Sequence, residues 1–185
     1  MRAKTCMDAL TIAVLGAAPL VLAAGHAGAQ LPFENELRVA GASALTAWIK
    51  GTRDAAIARG VEEIPPDIRE ALAGYIDDDI LDRVRWRVDD GSLSIEQAVF
   101  HFGETPAVTL DDVVLFATRK TALEDPTIWA HELVHVGQYR AWGIAGFAER
   151  YLDDYEAVER DAQEFRWQWM KTTGRVPAPA PPQPP

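Results

Sequence analysis

Apolar positions recur along this chain with two periods, and the changes between them mark its elements. From Asn35 to about Arg59 apolar residues fall at Leu37, Ala40, Ala44, Leu45, Trp48 and Ile49, a helical stripe that Gly60 ends. Pro65-Pro66 opens a second, shorter helix that turns Ile68, Leu72 and Tyr75 inward. A third short helical piece lies around Ile80 and Leu81. The preceding Asp77-Asp78-Asp79 has no EF-hand loop about it and reads as a solvated or helix-starting cluster. At Val84-Arg85-Trp86-Arg87-Val88 the alternation switches to period two, the mark of a strand with one wet face. Asp89-Asp90-Gly91 is a turn, and Ile95 to Phe102 fits a short helix or a strand. Ala107 to Ala117 reads as strand around a tight Asp111-Asp112 kink. The two strand regions are expected to pair as a small antiparallel sheet.

The remainder is helical. Asp125 is a good N-cap, Pro126 fits the first helical position, and Gly143 fits the place just past the end. On this helix Trp129, Leu133 and Val136, with Ala130, Val134, Gly137 and Ala141, form one apolar arc. His131 and His135 point the other way, joined by Gln138 and Trp142. Ile144 to Leu152 is a short amphipathic piece anchored by Phe147 and Tyr151. A final helix from about Asp154 to Thr172 carries Val158, Ala162, Phe165 and Trp169 on its apolar side. Phe165, Trp167 and Trp169 read as packing residues rather than a ligand platform. No repeat of 20 to 50 residues is present.

The ends look unlike a folded domain. Arg2 and Lys4 precede an apolar stretch from Leu10 to Ala24, and Ala27-Gly28-Ala29 gives a small-x-small cleavage pattern. Residues 1–29 therefore read as a signal peptide, with an apolar core shorter than the roughly 20 residues that span a bilayer. Residues 175–185 form a proline-rich tail, an extended spacer that a protein partner could also read. Residues 30–174 are enough for a single domain with one core. Without Arg2, Lys4 and Asp8 the chain keeps 16 basic and 27 acidic side chains, a net charge of −11. That balance disfavours nucleic acid and anionic lipid as partners. The single cysteine, Cys6, precedes the cleavage point, so the mature chain has no thiol for catalysis or for zinc. Export to the periplasm of a Gram-negative bacterium, or secretion, is the expected localisation.

The chemistry sits in His131-Glu132-Leu133-Val134-His135. A spacing of four puts both imidazoles on one helix face, one turn apart. Zn2+ favours imidazole nitrogen, and the intervening Glu132 falls where it can act on an activated water as general base. Catalytic zinc usually takes three protein ligands. His101 is the other histidine of the mature chain, but carboxylates on the final helix are better placed. Glu156, Glu159 and Gln163 share one face there, and Glu159 borders the apolar arc one turn before the small Ala162. Glu159 is the favoured third metal ligand, with Glu156 as its alternative and Asp161 as a partner behind the ligands. Tyr139, Tyr151, Tyr155 and Arg150 are all candidate oxyanion donors. Serine chemistry, a P-loop and a Rossmann pattern are absent from the sequence.

The stretch Trp129 to Tyr139 resembles the HELxHVxQ signature of the extracellular contractile injection system core-domain family, regarded as zincin-type metallopeptidases. Ala107 to Phe116 is similar to that family's AVTxGDxIxF segment, with Asp111 standing where the family has glycine. Glu159-Arg160-Asp161-Ala162 is similar to the ExEA element of gluzincins, whose first glutamate is the third zinc ligand. The resemblance covers about Ala107 to Gln163. It implies a mainly helical α+β, zincin-like fold, in which a small antiparallel sheet packs on the HExxH helix and a C-terminal ligand-bearing helix. It implies an exported zinc metallopeptidase in which a zinc-activated water hydrolyses peptide or protein substrates. The rival readings are a catalytically silent zincin-like binding or scaffold module in the periplasm, and an exported structural domain without metal.

Overall fold

The computed structural model describes residues 32–89 and 106–176. The expectations for residues 1–29, for Ile95 to Phe102 with His101, and for the tail beyond Val176 lie outside these described residues. The first element is the helix α1 (Pro32–Ala58), whose buried side is Ala42, Ile49 and Ala56 with Leu45 and Trp48 half-buried. Ala40 and Ala44, expected on that stripe, are exposed. Alanine fits either face of a helix, so the larger Leu45 and Ile49 decide which side packs. After β1 (Glu62–Glu63) come α2 (Pro66–Leu72) and α3 (Asp78–Arg83). Ile68, Leu72 and Leu81 are buried as expected, but Tyr75 is exposed and Ile76 takes the inward place. Asp77 holds the N-cap position of α3, with Asp78 and Asp79 in its first turn, where negative charge favours the helix dipole.

The sheet contains β1, β2 (Arg85–Val88), β3 (Ala107–Leu110) and β4 (Val113–Phe116), in the order β1-β2-β4-β3. β3 and β4 form an antiparallel hairpin with Leu110 opposite Val113, and β1 runs antiparallel to β2. β2, however, lies parallel to β4, pairing Arg85 with Val113 and Val88 with Phe116. The sheet is therefore mixed rather than antiparallel. Alternation of side chains along a strand carries no record of the direction in which its neighbour runs. Every residue of β4 is buried, which fits a central strand covered on both faces. Val114 and Phe116 join one core cluster with Trp86 and Trp129, while Val113 and Leu115 join a second with Ile49, Tyr139 and Phe147.

Two aromatic knots hold these clusters. The Phe116 ring lies 4.7 Å from Trp129 and 5.9 Å from Trp86, edge-on to the latter. The indole N–H groups find carbonyls, Trp129 at Ala122 (2.7 Å) and Trp86 at Glu63 (2.9 Å), so the rings bury without stranding a donor. In the second cluster Phe147 stacks on Tyr139 at 3.8 Å and on Tyr151 at 5.6 Å. The helices α4 (Arg119–Glu124), α5 (Pro126–Asp153) and α6 (Tyr155–Thr172) complete the described chain. On α6 Val158, Ala162 and Trp169 are buried and Phe165 is half-buried, whereas Trp167 is exposed and takes no part in the core. None of the described helices is long and apolar enough to cross a membrane.

Candidate metal centre

The helix α5 starts where the sequence places it. The Asp125 carboxylate accepts from the backbone N–H of Thr127 at 2.9 Å, and Pro126 follows as the first helical residue, where a missing N–H costs nothing. Trp129, Ala130, Leu133 and Val136 bury against the first core cluster, while Ala141 at the far end of the arc is exposed. Gly143 then breaks the helix with φ 69° and ψ 166°, a conformation that a Cβ would strain. The chain resumes as helix, burying Phe147 and Tyr151, until Asp154 caps α6 by accepting from Ala157 N–H at 3.0 Å. Arg38 of α1 binds Asp153 at 2.6 and 2.7 Å beside this junction. The break and the cap together return α6 along α5: Val158 meets Gln138 near one end, and Trp169 shares the cluster of Trp129 and Ala130 near the other.

This return brings three donors together. His131 Nε2 and His135 Nε2 are 3.1 Å apart, and the two oxygens of Glu159 lie 3.2 Å from His131 Nε2 and 3.5 Å from His135 Nε2. Ligands about 2.0–2.1 Å from a tetrahedral zinc ion are separated by about 3.3 Å. The imidazole pair meets this spacing, while Glu159 meets the two rings with different oxygens, and one donor atom from each residue lies within 4.8 Å of the others. The donor set of two imidazoles and a carboxylate is that of a borderline cation such as Zn2+. Among the described residues this is the group of histidines and acids close enough to share one ion. Glu156 and Asp161 are both exposed, and the hydrogen bonds at the imidazoles come from other residues.

The surroundings fix the site's electrostatics. Glu159 is only partly buried; burial pushes its carboxyl up, but hydrogen bonds from His131 and His135 and their charges overcome this and hold it at about 2. His135 is almost fully buried, which disfavours the imidazolium. The hydrogen bond to Glu159 and the charges of Glu132 and Glu159 outweigh that and raise it above the ordinary histidine value. His135 and Glu159 thus favour one another's charged forms.

Glu132 is buried and its Oε2 accepts a 2.7 Å hydrogen bond from the Thr109 hydroxyl on β3. His135 Nδ1 is 2.8 Å from Gln138 Oε1, and Gln138 Nε2 donates to the Val158 carbonyl at 3.1 Å. Sequence reasoning placed Gln138 on the histidine face without a role and gave Thr109 none. The signal for Gln138 was its spacing of three from His135 on a helix; Thr109 comes from a strand far away in sequence and left no such signal. A cleft of about 30 Å3, room for an ion and its water, is lined by Ala107, Thr109, Glu132, Phe147 and Tyr151 beside the three donors. Of the candidate oxyanion donors only Tyr151 lines it. Tyr139 is buried with its hydroxyl donating to the Thr109 carbonyl at 3.3 Å, Tyr155 is exposed, and Arg150 lies over the Trp142 ring.

Residues 63–143 match the family model described as the eCIS core domain. The matched segment begins well upstream of Ala107, where the resemblance was expected to start, and it includes His131, Glu132, His135 and Gln138. It ends at the Gly143 break, before Glu159 and the whole of α6. No curated protein and no solved structure matches the chain at a significant level.

Proposed function

We propose that this protein is an exported zinc-dependent metallopeptidase that hydrolyses peptide bonds in protein substrates. The observation that carries the reading is the set of three donors within 4.8 Å of one another, with a buried, anchored glutamate between the two histidines. His131, His135 and Glu159 would hold the cation, which when bound supplies Lewis-acid chemistry to a peptide carbonyl and acidifies water. Glu132 serves as the base: its carboxylate takes the proton of the attacking water and delivers it to the departing amine. Thr109 engages one of its oxygens and so holds the carboxylate in one orientation for both transfers. Tyr151 lines the same cleft, and burial together with the Glu159 charge keeps its hydroxyl protonated far beyond the ordinary tyrosine range. It is the group placed to donate a hydrogen bond to the developing oxyanion.

Export rests on the sequence of residues 1–29, and the match to the eCIS core domain supports the family resemblance without naming a substrate. A silent scaffold would have no use for a buried carboxylate beside a metal site, where its desolvation costs stability. The test is Glu132→Gln. Zinc content should stay near one ion per chain while cleavage of fluorescein-labelled casein falls by at least a hundredfold. A variant that cleaves as fast as the parent removes the base assignment; a parent that binds zinc but never cleaves supports the scaffold reading instead.

A further inference from the structure

We infer that Gln138 is the positioning residue of the metal centre, presetting the tautomer of His135 and seating α6 so that Glu159 arrives at the two imidazoles. The inference rests on the proposed metal centre and goes beyond it, because it assigns the coupling between the two helices to one side chain. The argument starts from the Val158 carbonyl, which can only accept a hydrogen bond. The Gln138 end 3.1 Å from it must therefore be the NH2 group, and this leaves the amide oxygen facing His135 Nδ1 at 2.8 Å. An amide oxygen also only accepts, so Nδ1 carries the proton. With Nδ1 holding a proton, Nε2, which faces His131 and Glu159, is the nitrogen that would offer its lone pair to a bound cation.

The second half of the bridge concerns register. Val158 directly precedes Glu159, so the bond from Gln138 fixes the first turns of α6 against α5 at the residue next to the carboxylate. Only two helices and one turn separate these groups in the chain, and the Gly143 break allows the second half of α5 a range of directions. A buried amide that must satisfy both its ends selects one of them, since any other position leaves a donor or an acceptor unpaired in the core. Gln138 is part of the segment matching the family model, whereas Val158 and Glu159 lie beyond it. His131 has no equivalent support: its Nδ1 is buried without a hydrogen-bond partner among the described residues.

The test measures affinity for zinc alone on the full metal-stripped chain, by competition with a chelator of known strength. Gln138→Met keeps length and helix propensity but removes both bonds, and is expected to weaken zinc binding 10- to 100-fold. Gln138→Glu keeps an acceptor for His135 and has no donor for Val158, so it separates the two roles. In that background Glu159→Gln should cost clearly less affinity than it does in the parent, because the carboxylate is no longer delivered. Equal costs of Glu159→Gln in both backgrounds overturn the seating of α6. Parent-like affinity in Gln138→Met overturns the inference while leaving the metal centre intact. If the parent itself fails to bind zinc, or His135→Ala binds as well as the parent, the metal centre falls and the inference with it. Should Gln138→Met not fold, shown by loss of its helical circular dichroism, the Gln138→Glu cycle decides alone.

Discussion

Replacing Thr109 by valine isolates a single hydrogen bond at the centre of the site. The two side chains are nearly isosteric, so no cavity opens. What is lost is the hydroxyl that donates to Glu132 Oε2 at 2.7 Å. That hydroxyl has one hydrogen, and the Glu132 backbone oxygen at 3.2 Å is the poorer acceptor, so the bond belongs to the carboxylate. Both residues are buried, Thr109 at 5 % and Glu132 at 4 % exposure, and water does not readily replace the donor. A hydrogen bond to a charged group contributes about 1.5–3 kcal/mol, and a buried carboxylate left without it bears the desolvation cost. Thr109→Val should therefore lower stability by about 2 kcal/mol, or roughly 4–8 °C in Tm for a domain of this size. Urea denaturation at pH 7 with excess chelator reads this without interference from metal. Thr109→Ser keeps the hydroxyl, gives up one buried methyl, and should recover more than half of the loss. In turnover, valine should lower kcat with KM little changed, since the bond orients the base and not the substrate. A valine variant within about 0.5 kcal/mol of the parent, or a serine variant equally unstable, refutes the assignment of that bond.

Other outcomes follow from the same structure. Glu159 has its carboxyl lowered from 4.5 to about 2, so its contribution to stability is fully present above pH 4.5 and lost as the pH falls toward 2. Glu159→Gln should flatten the fall in metal-free stability across that window; an unchanged profile by stepwise denaturation would show that the imidazoles do not engage it. Asp111 opens the β3–β4 turn with φ 61°, a left-handed backbone, while burial and the Asp112 charge raise its carboxyl. Asp111→Gly should remove that strain and gain about 1 kcal/mol in thermal or urea unfolding. Arg53 keeps its paired bonds to Asp112 at 2.6 and 2.9 Å, so the hairpin remains tied to α1. A destabilised glycine variant would mean that the 3.3 Å contact of Asp111 with Arg53 outweighs the strain.

The residues of the site differ in how openly the sequence carries them. His131, Glu132 and His135 lie within five positions on a helix whose cap, first proline and terminal glycine are local signals, and local signals survive in any fold. Gly143 was legible as an end, and its positive φ follows from that; that helix resumes after it was legible only as a separate amphipathic piece. Glu159 could be preferred over Glu156 because it borders the buried stripe of α6, but a wheel gives a direction and no distance. Thr109 was out of reach altogether, since nothing along the chain ties a strand residue to a glutamate 23 positions later.

Period and punctuation thus determined most of the elements, though not β1 or α4, and set two histidines on one face of one helix, because each of these depends on neighbours within a turn or two. Tertiary structure decided the rest: the parallel pairing of β2 with β4, the exposure of Tyr75 and Trp167, the burial of one side of α1, and the meeting of Glu159 with the imidazoles. These depend on which surfaces compete for the same core. Apolar area drives burial without specifying a partner, and strand alternation is the same whichever way the neighbour runs. The closure of the site belongs to this second kind. It comes from the break at Gly143 and the bridge from Gln138 to Val158, which act between helices.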